Sequence, residues 1–164
     1  GPQNTQTLKE RFPIDSAHDE LTRMRELMTM VVFSAGTKRL ADIHSRFADV
    51  YMYQFDYVSP AAKKADLGAF HTAELALIFG NLSQMGYSLP VEKSLSEEMR
   101  TRFINFVKTG DPNLCTKPPT DVNWPLYNAK DPQVLRFNDT VTVSPLPRVE
   151  DLDFVSETLY GKIQ

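Results

Sequence analysis

The chain has 164 residues, 41% of them hydrophobic, and a formal net charge of −3 at pH 7. This composition is typical of a folded domain of ordinary size and excludes a disordered or low-complexity chain. A mildly acidic chain without a basic patch does not indicate a nucleic-acid partner, and no apolar run approaches the roughly 20 residues of a membrane span. The single cysteine, Cys115, excludes an intramolecular disulfide.

The chain begins with Gly1-Pro2 and no methionine, which is typical of the remnant that a tag-removing protease leaves. Residues 3–7 are polar and are expected to be loose. We therefore expect residues 1–8 to be a leader and residues 9–164 to carry the fold. No targeting signal is visible, so the sequence leaves open whether the protein is cytoplasmic or secreted.

Two helices are predicted in the first part of the chain. Apolar residues recur at helical spacing over 19–33 and again over 37–47, and Ser34-Ala35-Gly36 interrupts the pattern. Each predicted helix is apolar on one face only. Each therefore needs a partner surface to cover that face.

The segment after these helices predicts a strand near 50–57, because it is rich in aromatic and β-branched residues. Its tyrosines and phenylalanine alternate onto one face, which we expect to pack in the core rather than form a ligand cage. The residues of that face are Tyr51, Tyr53, Phe55 and Tyr57. The other face is also apolar, so the strand should be covered on both sides.

A short helix is predicted over 73–79, with Thr72 as its cap, Glu74 in its first turn and Gly80 at its end. His71 then lies on the loop that enters this helix, downstream of the strand.

A longer helix is predicted to begin at the capping box Ser94 to Glu97 and to continue over 95–108. Its expected buried face contains Leu95, Met99, Phe103, Phe106 and Val107.

The remainder of the chain is proline-rich and irregular over 111–133. A hairpin is predicted near 134–143 and a closing helix over 148–160. About five helices thus accompany one long strand and a small hairpin. One buried strand cannot make a sheet alone, so we expect its exposed edge to take a partner chain or a second copy of this chain.

No GxSxG, GxGxxG, P-loop or HExxH motif is present, so no complete catalytic set can be located by motif. His71 is the best candidate for chemistry because imidazole is the usual general base near neutral pH, and a structural histidine is the alternative. Glu74 is first interpreted as a helix-start carboxylate, with a catalytic role as the alternative. The i, i+3 spacing of His71 and Glu74 also occurs in metal sites, but two ligands alone do not make one.

Four stretches of the chain, taken together, carry a family resemblance. Residues 50–57 read VYMYQFDY, residues 68–81 read GAFHTAELALIFGN, residues 105–113 read NFVKTGDPN, and residues 123–127 read NWPLY. In this order and spacing they resemble the C-terminal third of the type-B carboxylesterases, the α/β-hydrolase family of cholinesterases and bacterial para-nitrobenzyl esterases. The bacterial branch is the more similar. The chain departs from the family pattern at Phe103, where tryptophan is usual, and at Met30, where aspartate is usual.

The resemblance implies an α/β fold: residues 9–164 would be the C-terminal segment of an α/β-hydrolase domain, helix-rich with one central strand and a small hairpin. It implies that His71 is the triad base and that Glu74 is a buried structural glutamate. The serine and the triad acid would lie outside this chain, which would then be inactive alone. It also implies an ester substrate, the N-terminal part of the same protein as partner, and no cofactor.

Two other functions remain open at this point. The segment could be a non-catalytic interaction module on the same fold, as adhesion relatives of cholinesterases are. It could also be a compact domain without activity. The retained His71 motif favours the esterase.

Overall fold

A computed structural model describes residues 2–16 and 19–163 and divides them into two compact units. The first unit combines the described residues up to Ala48 with those from Leu146 onward, and the second extends from Asp49 to Pro145. The first unit is built from helices alone, within the described residues, and the second contains a three-stranded sheet.

The described residues of the first unit form four α-helices. They are α1 (Pro2–Arg11), α2 (Glu20–Thr29), α3 (Ala35–His44) and α7 (Val149–Tyr160), and a π-helical turn (Met30–Ser34) joins α2 to α3. Their shared core consists of Phe12, Met30, Ala35, Leu152 and Val155. The closing helix predicted over 148–160 is therefore confirmed as α7.

The expectation that residues 3–7 are loose is wrong, because they lie within α1. Phe12, directly after this helix, is buried in the core of the unit. The Asn4 side chain donates to the carbonyl of Thr158 at 2.9 Å, and Arg11 forms an ion pair with Asp151 at 3.1 Å. These contacts come from residues far along the chain, which local polarity does not reveal.

The predicted interruption at Ser34-Ala35-Gly36 is also wrong. The helix continues through the π turn, in which the N–H of Ala35 donates to the carbonyl of Met30, five residues back. Such a turn inserts one extra residue without breaking the helix. It leaves both Met30 and Ala35 facing the core.

The predicted apolar faces of α2 and α3 are largely uncovered within the described part of the chain. Leu27 and Val31 pack against the core, whereas Leu21 and Met24 are more than half exposed and Leu40 is 65% exposed. The expectation that a partner surface covers these faces stays a prediction.

The second unit contains the sheet and the remaining helices. In chain order it consists of β1 (Tyr53–Phe55), α4 (Pro60–Lys64), α5 (Leu75–Ile78), a 3₁₀ turn (Leu82–Met85), α6 (Pro90–Thr109), β2 (Gln133–Phe137) and β3 (Val141–Pro145). β1 is parallel to β2, with Tyr53 opposite Leu135, and β2 and β3 form an antiparallel hairpin. The predicted strand and hairpin are confirmed.

The strand order is β1-β2-β3, so β2 is the middle strand of this sheet and β1 lies at its end. We expected β1 to be central, but the hairpin adds to one side of it only. Hydrogen bonds beyond the regular ladder extend the pairing, since Leu135 N–H donates to Met52 at 3.1 Å and Asp56 N–H donates to Phe137 at 2.8 Å.

The aromatic face of the strand packs against the core, as predicted, although Tyr51 and Tyr53 also line an open cavity. Tyr57 is part of that core, and Tyr51, Tyr53 and Phe55 pack against it. The other fully or nearly buried members are Ala76, Leu77, Tyr87, Leu95, Met99, Trp124, Leu135 and Phe137.

Helix α6 begins at Pro90, not at the predicted capping box, so Ser94 lies inside the helix. Proline favours the first helical position because its missing N–H is not needed there. The carboxylate of Glu92 turns back and accepts the backbone N–H groups of Ser88 at 2.6 Å and Leu89 at 2.8 Å. The bond to Leu89 performs half of the capping-box role, five residues before the predicted capping box.

The buried face of α6 mixes apolar and polar side chains, since Glu92, Ser96 and Glu98 are buried in its first half. Leu95 and Met99 are buried and Phe103 packs against the core, as predicted. The prediction is wrong for Val107, which is 83% exposed, and for Phe106, which is also exposed. The second half instead buries Arg102 and Asn105. A helix can turn polar side chains inward only where every one of their hydrogen-bonding groups finds a partner.

Arg102 finds its partners in Glu98 and in the irregular segment 111–124. Its Nε donates to Glu98 Oε1 at 2.6 Å, and its Nη2 donates to the carbonyl of Val122 at 2.6 Å. Glu98 in turn accepts the backbone N–H of Thr120 at 2.9 Å and its hydroxyl at 2.7 Å. Arg102 is 0% exposed and Glu98 is 2% exposed.

The same segment is attached to α6 at one further point and is cross-linked within itself at another. Asn105 Nδ2 donates to the carbonyl of Thr116 at 2.6 Å, and Asn113 Oδ1 accepts the backbone N–H of Trp124 at 2.8 Å. The indole N–H of Trp124 donates to the carbonyl of Met52 at 2.9 Å. Side chains of α6 thus determine the path of a segment without regular structure, up to the residue that packs beside β1.

Replacing Arg102 with alanine is expected to destabilise the chain by about 3 to 5 kcal/mol, because Glu98 would remain as a buried charge without its partner. The measurement is the free energy of unfolding in urea. The matched control is Lys93→Ala, which removes an exposed charge from the same helix and should cost less than about 1 kcal/mol. Equal losses for the two variants would contradict the structural role of the buried pair.

Candidate functional site

His71 lies in a turn between α4 and α5, on the connection that follows β1. The turn is held by backbone hydrogen bonds from Ala73 N–H to Phe70 at 3.1 Å and from Leu75 N–H to Thr72 at 3.1 Å. The imidazole is exposed. The predicted position of His71, on a loop entering a helix downstream of the strand, is confirmed.

Thr72 does not cap the helix as predicted. Its φ angle is 75°, in the left-handed region, and its backbone carbonyl rather than its hydroxyl accepts the hydrogen bond from Leu75. A β-branched residue with positive φ is rare because Cβ crowds the backbone. Strain of this kind persists where the surrounding structure enforces it, and it is concentrated at functional sites.

Helix α5 is shorter than the predicted 73–79, and Gly80 ends it as expected. Gly80 has a φ of 71°, which costs a glycine little. Its N–H donates to Leu77 at 3.2 Å, and the N–H of Asn81 donates to Ala76 at 2.8 Å. This is the Schellman arrangement, and it fixes the end of the helix that His71 precedes.

Glu74 is the residue directly before α5, where it occupies the N-cap position without a side-chain cap bond. Its side chain is half-buried, which differs from the full burial that the resemblance implied. The pKa of Tyr53 is raised, first by burial and then by the negative charge of Glu74. Burial, with smaller contributions from Glu92 and Glu74, raises the pKa of Tyr87 as well. The negative charge of Glu74 therefore acts on two phenols of the second unit.

Glu92 is a buried carboxylate that the sequence analysis missed. Besides the two backbone N–H groups at the start of α6, it accepts the hydroxyl of Tyr57 at 2.9 Å. Burial, reinforced by this hydrogen bond, raises the pKa of Tyr57 well above its ordinary value. The signal that could have found Glu92 is Pro90 followed two residues later by glutamate, which marks a helix start.

Other candidate groups have less support in the structure. Cys115 is exposed and has a φ of 72°, and His18 lies outside the described residues. Among residues 2–16 and 19–163, no group of three or more His, Cys, Asp or Glu is placed to hold a metal ion. No helix in this part of the chain is both long and apolar enough to cross a bilayer.

Comparison with known proteins identifies the family. The sequence model of the carboxylesterase family matches residues 3–155. The chain belongs to this family. The match includes the turn that carries His71, and it confirms the resemblance found in the sequence.

Curated members of the family align over most of the chain. Carboxylesterase 4A of Bos taurus is 32% identical over 143 residues, which is 84% of this chain and 25% of the relative. Para-nitrobenzyl esterase of Bacillus subtilis is 31% identical over 131 residues, 76% of this chain and 25% of the relative. The chain therefore spans about a quarter of the length of these relatives.

Solved esterase structures have the same fold. A thermophilic PNB esterase superposes with a TM-score of 0.74 at 25% identity, covering 96% of this chain and 30% of that structure. A second PNB esterase also gives a TM-score of 0.74, at 26% identity. The chain is thus part of an α/β-hydrolase fold, locally helix-rich with a small three-stranded sheet.

Tyr57→Phe is expected to reduce the loss of stability at alkaline pH. Because the pKa of Tyr57 is raised in the folded state, the unfolded chain releases this proton first, and stability falls as the pH rises above about 10. The free energy of unfolding of Tyr57→Phe should therefore decline less steeply between neutral pH and strongly alkaline pH. Tyr160→Phe, at an exposed tyrosine, is the control and should follow the wild type. If the free energy of unfolding of the wild type and of Tyr57→Phe fell equally steeply with pH, the raised pKa of Tyr57 in the folded state would be contradicted.

Proposed function

We propose that this chain is a segment of a serine carboxylic-ester hydrolase similar to para-nitrobenzyl esterases, and that His71 is the general base of its catalytic triad. The serine and the triad acid lie outside these residues. The observation that carries the proposal is an exposed imidazole in a backbone-held turn, inside the range that matches the carboxylesterase family.

The proposed chemistry uses the two protonation states of His71. Its neutral imidazole accepts the proton of the serine hydroxyl as the serine oxygen attacks the ester carbonyl carbon. The imidazolium then gives that proton to the departing alcohol, and an acyl-enzyme remains. A water molecule, deprotonated by the same imidazole, attacks the acyl-enzyme, and the proton returns to the serine as the acid is released.

The position of His71 suits this role. A catalytic base must be reachable by substrate, and functional side chains are often placed on loops held by a rigid scaffold. The left-handed Thr72, directly after His71, and the Schellman end at Gly80 restrict the chain that follows His71. We propose a structural role for Glu74, because it is half-buried and its negative charge contributes to the raised pKa of Tyr53 and Tyr87.

The partner in the proposed enzyme is the remainder of the same protein. Support comes from the chain spanning about a quarter of its relatives and from apolar side chains left exposed, such as Leu40, Phe47 and Phe79. Unpartnered apolar area of this kind indicates an interaction surface. Among the described residues no strand pairs with the other side of β1, which therefore offers backbone groups for a further strand. A second copy of this chain is the competing occupant.

The chain alone is expected to hydrolyse p-nitrophenyl acetate no faster than its His71→Ala variant, because it lacks the nucleophile. Joining residues 3–163 to the upstream three quarters of the Bacillus subtilis relative would supply the missing groups. In that fused chain, His71→Ala should lower kcat by at least about a thousandfold, as expected when a triad member is lost.

His44→Ala is the matched control for the fused chain, since it removes an exposed histidine from α3. It should retain the activity of the fused wild type. A similar loss in both variants, or no loss in His71→Ala, would contradict the role of His71. A folded fusion without activity would favour the non-catalytic interaction module instead.

A further inference from the structure

An open, aromatic cavity of about 100 Å³ lies in the second unit beside β1 and α6. It is independent of the role proposed for His71. Its walls are almost entirely rings: Tyr51, Tyr53, Phe103, Phe106, Pro112 and Trp124. The rim is accessible because Phe106 is exposed, whereas Trp124 forms the buried floor.

The rings of this cavity stand nearly perpendicular to one another. Tyr51 meets Phe106 at 73° and Trp124 at 80°, with ring centres 5.9 and 6.2 Å apart. Tyr53 meets Phe103 at 79° with ring centres 5.7 Å apart. Perpendicular walls form a box around the space between them rather than a flat stack. Aromatic faces carry negative potential, so a box of rings attracts a cation that has shed its water.

Asp111 directly precedes Pro112, which lines the cavity, and adds negative charge at the Tyr51 side of the box. The pKa of Tyr51 is raised by burial and by the charges of Asp111 and Asp49. Asp111 is held in place because it accepts the backbone N–H of Asn113 at 2.8 Å and its Nδ2 at 3.0 Å. Within the described residues, no lysine, arginine or histidine forms an ion pair with Asp111.

We propose that this aromatic cavity binds a methylated ammonium group, with the ring faces around its methyl groups and Asp111 at the rim as counter-charge. The lining of the cavity favours a methylated ammonium group over a metal ion and over a neutral group of the same shape. A metal ion would require several oxygen ligands, and the walls are carbon. A neutral group of the same shape would gain apolar contact but no attraction to the rings or the carboxylate.

The test is a fluorescence titration, because Trp124 is the only tryptophan of the chain and forms the floor of the cavity. Tetramethylammonium chloride is the probe, with sodium chloride holding the ionic strength constant. tert-Butanol, which carries three methyl groups and no charge, is the matched neutral ligand. We expect a saturable change with tetramethylammonium and at least about fivefold weaker binding of tert-butanol, as cation–π attraction implies.

Three variants locate the binding. Asp111→Asn keeps the oxygen that Asn113 uses but removes the charge, and Phe106→Leu removes one wall. Each should weaken tetramethylammonium binding by about threefold or more while leaving the thermal midpoint nearly unchanged. Val107→Ala, on the exposed neighbour of Phe106, should bind like the wild type.

Three outcomes would overturn the proposal. The first is a fluorescence response that does not saturate with tetramethylammonium. The second is equal affinity for tert-butanol, which would show an apolar pocket without preference for charge. The third is unchanged affinity in both Asp111→Asn and Phe106→Leu, which would place the binding elsewhere.

Discussion

The second unit depends on one buried ion pair, Glu98 with Arg102 on α6. Removing two charges from water is costly, and the attraction between them offsets that cost only when their remaining hydrogen-bonding groups are also satisfied. Here the segment 111–124 satisfies them, through the carbonyl of Val122 and the N–H and hydroxyl of Thr120. The pair therefore holds a proline-rich segment in a fixed path. That path ends at Trp124, the floor of the aromatic cavity and a core contact of β1.

Much of this architecture follows from local sequence. The period of two over 50–57, the apolar spacing of α7 and the glycine after α5 each specify structure through neighbouring residues alone. The predictions that are wrong have a common cause. The start of α6 is set by Glu92, and the inward face of its second half is set by Arg102, whose partners lie up to twenty residues away. Helix α1 likewise depends on Phe12 and Asn4 meeting α7. Partners distant in sequence leave no periodic signal.

In the candidate site, too, some features follow from neighbouring residues and others do not. The position of His71 on a turn before a short helix was readable from the chain, because a strand, a loop and a glycine-terminated helix follow one another there. The position of His71 does not determine its role, because an exposed histidine on a loop can be structural or catalytic. The family motifs suggested the role, and the match to the carboxylesterase family supports that suggestion. The left-handed backbone conformation of Thr72 could not be predicted from the sequence, because threonine normally avoids that conformation.

Amide hydrogen exchange tests the central claim most directly, namely that buried side chains of α6 fix the segment 111–124. The informative amides are those of Thr120, which donates to Glu98 of α6, and Trp124, which donates to Asn113. Asn113 is itself held by α6, because its Oδ1 also accepts from Arg102 Nη1 at 3.2 Å. The protection of the Thr120 and Trp124 amides is predicted to approach that of Leu135, a core amide of β2, because all three should exchange only when the unit opens. Exchange of Thr120 and Trp124 at the rate of an exposed loop, with Leu135 still protected, would contradict the account.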